Sequence, residues 1–299
     1  MPTRIVVGYI ANESGADALA LATRIARASE AVLEVVIVLP SEARGSVVPP
    51  DAGYERFLRE RSRTWLAEAS AALGDEVAQS LHIRYAESFA EGLIAAAHEF
   101  EAMLIVVGAA RGGILGRVRI GSVANELLHS SDVPVALAPA GSREVPTGQG
   151  VTRITAAVGT RPGAEGLLEA SVRLARLTHA PLRLLSLVSI DLPAGMDEEL
   201  AQLTSTVHAE EVLLTARRAL PESVESTAVT AKGTTIEAAV QSLDWHAGEL
   251  VLVGSNRLAT PSHLFLGSTA AKMLRELPVP MIVVPRTATA RATTPRTTT

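Results

Sequence analysis

Glycine, serine and arginine recur in this chain at a spacing suited to holding an anion. Gly108 is followed by Arg111, Gly112, Gly113 and Gly116, with Arg117 and Arg119 next, and then by Gly121-Ser122-Val123. Glycines let backbone amides come close to a ligand, and guanidinium groups match phosphate oxygens. A Gly-Ser at a helix start adds free amides and the positive end of the helix dipole, and Ser122 is expected to cap that helix. The same frame returns 146 residues later as Gly254, Arg257 and Gly267-Ser268. The segments 104–139 and 250–285 align without a gap, and eleven of their 36 positions are identical. One fold is therefore written twice. Neither loop is a Walker A loop, because no Gly-Lys-Ser/Thr follows. Neither is a dinucleotide fingerprint, which belongs after the first strand of its unit.

The elements that must carry these loops alternate in both halves. Short β-branched runs lie at 3–8, 31–39, 77–85, 103–108 and 133–138, separated by helical patterns at 14–29, 51–73, 89–100 and 122–130. The second half repeats this with strands at 153–158, 181–189, 223–231, 249–254 and 278–284, and helices at 164–178, 197–220, 235–247 and 268–276. Strands apolar on both faces that alternate with helices call for a parallel sheet covered on both sides. The expected fold is α/β: two tandem doubly wound domains, each a five-stranded parallel sheet, at 1–140 and 151–286. Residues 141–150 read as a linker, and the Thr/Arg/Ala-rich tail 287–299 reads as disordered.

Composition narrows the function. The 299 residues carry a formal charge of −5, 47% hydrophobic residues and only 3% aromatics. Neither half has a positive excess, so a nucleic-acid groove is not expected. No apolar run reaches membrane-spanning length, and strand residues begin almost at Met1, which argues against a signal peptide. There is no cysteine, in keeping with a reducing cytoplasm. The seven histidines show no metal-binding spacing. Tyr54, Phe57 and Trp65 read as core or inter-domain packing, with a partner groove as the alternative, and the interleaved Arg and Glu of 55–63 as a solvated face.

On the loop spacing, the closing Val133-Pro134 and Val279-Pro280 pairs and the duplication, the chain resembles the universal stress protein family in its tandem form. The resemblance implies an adenine nucleotide, ATP or AMP, held by Gly108, Arg111, Gly112, Gly113, Gly121, Ser122 and Val123. It implies a second such site at Gly254, Arg257, Gly267 and Ser268. It further implies association through the last strands, homodimers and a role in the stress response with an unidentified protein partner. Two departures are visible. Arg111 and Arg257 stand at the family's inner-glycine position, as phosphate ligands or as plugs of the pocket. Ile10 and Gly159 stand where nucleotide-binding members carry an adenine-contacting aspartate. Two functions follow: a nucleotide sensor working through the first copy, or a nucleotide-free scaffold acting by protein contact. No catalytic residue is implied beyond incidental, slow ATP hydrolysis.

Overall fold

The computed structural model describes residues 2–41, 52–75, 77–109, 120–159, 164–189, 198–255 and 264–285. The first repeat runs β1 (Arg4–Gly8), α1 (Glu13–Ser29), β2 (Val32–Pro40), α2 (Ala52–Leu73), β3 (Gln79–Ala86), α3 (Phe89–Glu99), β4 (Leu104–Gly108), α4 (Ser122–Ser130) and β5 (Val135–Ala138). The second runs β6 (Arg153–Ala157), α5 (Ala164–Thr178), β7 (Leu182–Ser189), α6 (Glu198–Arg218), β8 (Ser226–Gly233), α7 (Ile236–Gln241), β9 (Glu249–Gly254), α8 (Ser268–Glu276) and β10 (Met281–Val284). Among the described residues, no helix is long and apolar enough to cross a membrane.

The two expected sheets are one. Strand order is β3-β2-β1-β4-β5-β10-β9-β6-β7-β8. Every pairing inside a repeat is parallel, and the joint between repeats is antiparallel, with Met281 opposite Leu137, Ile282 opposite Ala136 and Val283 opposite Val135. These last strands are fully buried and would be exposed edges in a lone repeat. Helices α1, α2, α5 and α6 cover one face and α3, α4, α7 and α8 the other, and each core continues across the joint. Because β5 and β10 run in opposite directions, the carboxyl edges of the two repeats lie at opposite edges of the common sheet.

Local signals explain most element ends. Asn12 caps α1 by accepting the Gly15 N–H at 2.9 Å. Helices α1 and α5 both stop at a residue in the left-handed region, Glu30 (φ 52°) and His179 (φ 53°), where no glycine marks the stop. Helix α7 is shorter than its sequence pattern, ending at Gln241 and not near 247. The Trp245 indole turns back to donate to the Val240 carbonyl at 3.0 Å, and the chain then delivers the His246 N–H to Glu249 at 3.1 Å. Tyr54 and Phe57 do not pack in the core: both are about 60% exposed on α2 (61% and 60%), while Trp65 is partly buried.

Residues 141–150 are more than a spacer. Two short 3₁₀ turns, Ser142–Glu144 and Thr147–Gln149, lie along α1. Buried Asp17 accepts the Gly141 and Arg143 N–H groups at 3.2 and 3.0 Å, and the buried Arg24 guanidinium donates to the Ser142 carbonyl at 3.3 Å. Burial pulls the Arg24 guanidinium below its ordinary pKa. The tail 287–299 lies outside the described residues.

The joint between repeats gives the first test. Ile282→Asp places a carboxylate where the side chain is 2% exposed and faces the seam. It should lower unfolding free energy by about 3 kcal/mol or more in urea denaturation, since a buried charge without a partner is among the costliest changes.

Candidate functional site

The carboxyl edge of the first repeat opens into a cavity of about 470 Å³, within the usual range for small-molecule sites. Its floor is apolar: Val36 and Val38 from β2, Val107 from β4, and Phe89 and Leu93 from α3. Its mouth is formed by two helix starts, Asn12–Gly15 of α1 and Gly121–Ala124 at the head of α4. Ser88 caps α3 by accepting the Glu91 N–H at 3.1 Å and donates its hydroxyl to Glu126 of α4 at 2.6 Å. That bond fixes the distance between the two walls.

The start of α4 differs from expectation in one respect. Gly121, not Ser122, is the cap residue, and no side chain caps the helix. Ser122 is the first helical residue. The first intrahelical bond runs from the Asn125 N–H to the Gly121 carbonyl at 2.8 Å. The amides of Ser122, Val123 and Ala124 precede it and are available to an acceptor from the cavity. Helix α8 repeats this geometry, with Gly267 as cap and Ser268 first.

Gly108 serves packing more than ligand approach. A Cβ on it would lie 2.1 Å from the Ser14 carbonyl oxygen. The α1 start therefore rests directly on the end of β4, and the Ser14 hydroxyl donates to the Ala109 carbonyl at 3.2 Å. Among the described residues Gly254 has no such neighbour, its nearest contact being the Leu167 Cβ at 3.9 Å. Arg111, Gly112, Gly113 and Arg257 lie outside the described residues.

Ile10 lies at the cavity rim, half-exposed, with its carbonyl accepting the Asn12 N–H at 2.7 Å. The nearest described carboxylate in the lining is Glu13, which Arg143 meets at 3.2 Å. Tyr9 also lines the cavity. Burial raises its phenol pKa above the ordinary value, with the negative charge of Glu68 adding to the effect, so it stays a neutral hydroxyl. Sequence reasoning missed Tyr9, Val36, Val38 and Phe89 as wall residues. The signal was there in the parallel topology, which brings the ends of β1 and β2 and the start of α3 to the edge where Gly108 ends. Among the described residues, no three His, Asp or Glu side chains gather where they could hold a metal ion.

The second repeat carries its own cavity, of about 450 Å³, with Leu185, Leu187, Ile236, Val253 and Met273 on the α7/α8 side and Gly267 and Thr269 at the helix start. The end of its loop is tied to the first repeat. The Leu264 N–H donates to the Ser131 carbonyl at 2.7 Å, and the Phe265 and His129 rings meet edge to face at 5.1 Å.

Comparisons with known proteins agree with this geometry. The model of the universal stress protein family matches residues 1–139 and again residues 150–285. Universal stress proteins of Mycobacterium tuberculosis and Mycobacterium bovis are each 31% identical over 298 residues, covering 94% of this chain and 99% of the relative. A universal stress protein from Archaeoglobus fulgidus has a similar fold, with a TM-score of 0.69 at 18% identity, covering 95% of this chain and 98% of its own. A functionally unknown protein from Pseudomonas aeruginosa superposes with a TM-score of 0.59 at 18% identity, covering 96% and 93%.

The two glycines should respond differently to the same change. Gly108→Ala drives a methyl group into backbone that cannot swing aside and should cost about 2 kcal/mol or more; Gly254→Ala should stay within about 0.5 kcal/mol of wild type. Urea unfolding of the two variants reads the difference directly.

Proposed function

This chain belongs to the universal stress protein family, and we propose that it is a cytoplasmic regulator of the stress response that holds an adenine nucleotide in its first repeat. The observation that carries the reading is the cavity itself. An apolar floor of Val36, Val38, Val107 and Leu93 with the half-exposed Phe89 ring suits a flat base, and it leads to the uncapped start of α4. An apolar slot ending on free helix amides is an arrangement for a base joined to phosphate. The amides of Ser122 and Val123 would take the phosphate. Ile10 offers no side-chain acceptor to the base amine, so selection among bases rests on shape and backbone groups.

A second reading, protein contact without nucleotide, draws on Tyr54 and Phe57. These large aromatics project from α2 into solvent, where they supply area for a partner. The two readings part on nucleotide binding alone.

Calorimetric titration of nucleotide-stripped protein with ATP separates them. One site per chain is expected, weakened at least tenfold by Gly121→Val, which crowds the approach to the α4 amides, and unaltered by Gly267→Val. No heat of binding, together with no nucleotide released on stripping, contradicts the sensor reading and favours partner contact.

A further inference from the structure

Arg143 belongs to the segment between the repeats, yet its side chain reaches the mouth of the first cavity. Its guanidinium donates to the Glu13 carbonyl at 3.0 Å and pairs with the Glu13 carboxylate at 3.2 Å. The buried Asp17 carboxylate lies 3.5 Å from the same group. Glu13 lines the cavity at the start of α1, and among the described lining residues it is the one charged side chain. The polar groups beside it, on Tyr9, Asn12, Ser14 and Ser122, are neutral hydroxyls and an amide.

That carboxylate opposes the use of the mouth. An anion on the amides of Ser122 and Val123 shares the opening with Glu13, and like charges across such an opening repel unless a cation offsets one of them. The Glu13 and Arg143 side chains are 58% and 30% exposed, so their pairing adds little to stability. Its effect lies in the potential that an approaching ligand meets. Nor does the segment need the Arg143 side chain to hold its place. The Gly141 and Arg143 N–H groups bond to Asp17, and Arg24 donates to the Ser142 carbonyl. The charge at 143 can therefore be removed while the backbone stays anchored.

The second repeat lacks the whole arrangement. Glu30 and His179, the left-handed residues that end α1 and α5, stand 149 positions apart. The Tyr9 N–H bond to the Val36 carbonyl recurs at the same interval as that of Val158 to Leu185. On this interval Glu13 corresponds in sequence to Pro162 and Asp17 to Gly166. The 146-residue interval of the last strands, carried four residues past Pro285, matches Arg143 with Thr289. Both carboxylates and the arginine are thus present together in one repeat and absent together from the other, as befits charges that serve one another.

We propose that Arg143 is a positioning residue for the anionic ligand of the first cavity: by holding Glu13 and offsetting its charge, it lets a phosphate chain reach the head of α4. This rests on the nucleotide reading of that cavity and adds to it a role for the segment between the repeats, which sets how much negative charge the mouth accepts.

Calorimetric titration of the full chain and two variants with ATP tests this. Arg143→Gln should weaken ATP about fivefold at about 0.05 M salt and less than about twofold at about 0.5 M, where screening shortens the reach of the Glu13 charge. The double variant Glu13→Gln with Arg143→Gln should return to within about twofold of wild-type affinity, because neither charge remains. A loss in Arg143→Gln that is equal at both salt concentrations, or that persists in the double variant, would mark a merely structural role and overturn the proposal. Unchanged ATP affinity in Arg143→Gln would overturn it too, while leaving the nucleotide reading in place. Absence of ATP binding by the wild-type chain contradicts that reading itself, and the role of Arg143 falls with it.

Discussion

The antiparallel pair β5–β10 is the constraint on which the rest of the molecule depends. Parallel α/β units leave their last strand as an unpaired apolar edge, and here each repeat covers the other's. The consequence reaches both cavities. Antiparallel joining sets the two carboxyl edges at opposite sides of one sheet, so the ligand-facing loops do not compete for space. It also brings the end of the second loop against the foot of α4, where Leu264 and Ser131 bond. Helix α4 thus has the first cavity at its head and the second repeat's loop at its foot.

Within this shared frame the repeats have diverged where side chains, not backbone, decide. Each buries a carboxylate among strands at the same level of the sheet, but from different strands. Glu34 on β2 meets Arg4 and His82, whereas Glu249 on β9 meets Arg153 at 2.6 Å and Arg183 at 2.7 Å. Burial lowers the Arg183 pKa, with Glu249 opposing the shift, and the guanidinium lies over the Trp245 ring at 4.9 Å. Such paired charges contribute little net stability, but either partner left alone would be costly, so they hold the register of neighbouring strands. The carboxyl-edge cavities differ too: Ser186, which lines the second, stands on β7 where β2 of the first repeat has Ile37.

The backbone was largely legible in the amino-acid sequence. The repeat frame, the order of strands and helices, and the Gly121-Ser122 and Gly267-Ser268 helix starts all follow from local pattern, since periodicity and glycine placement report backbone conformation directly. What stayed hidden depends on contacts between distant residues. Asp17 is buried with nothing local in the sequence to mark it, because the 141–150 segment folds over it. Tyr54 and Phe57 read as core or inter-domain packing because they are large and apolar, yet both are exposed on α2. Gly108 looked like a ligand-facing glycine, but it is required by Ser14, 94 positions earlier in the chain.

The central claim is that the amides at the head of α4, and not those at the head of α8, meet an anionic ligand. Hydrogen exchange of the full chain with and without ATP reads those amides directly. The account predicts slowed exchange at Ser122, Val123 and Ala124, with residues 268–270 unchanged. Slowing at 268–270 with none at 122–124, or no change at either helix start, would contradict it.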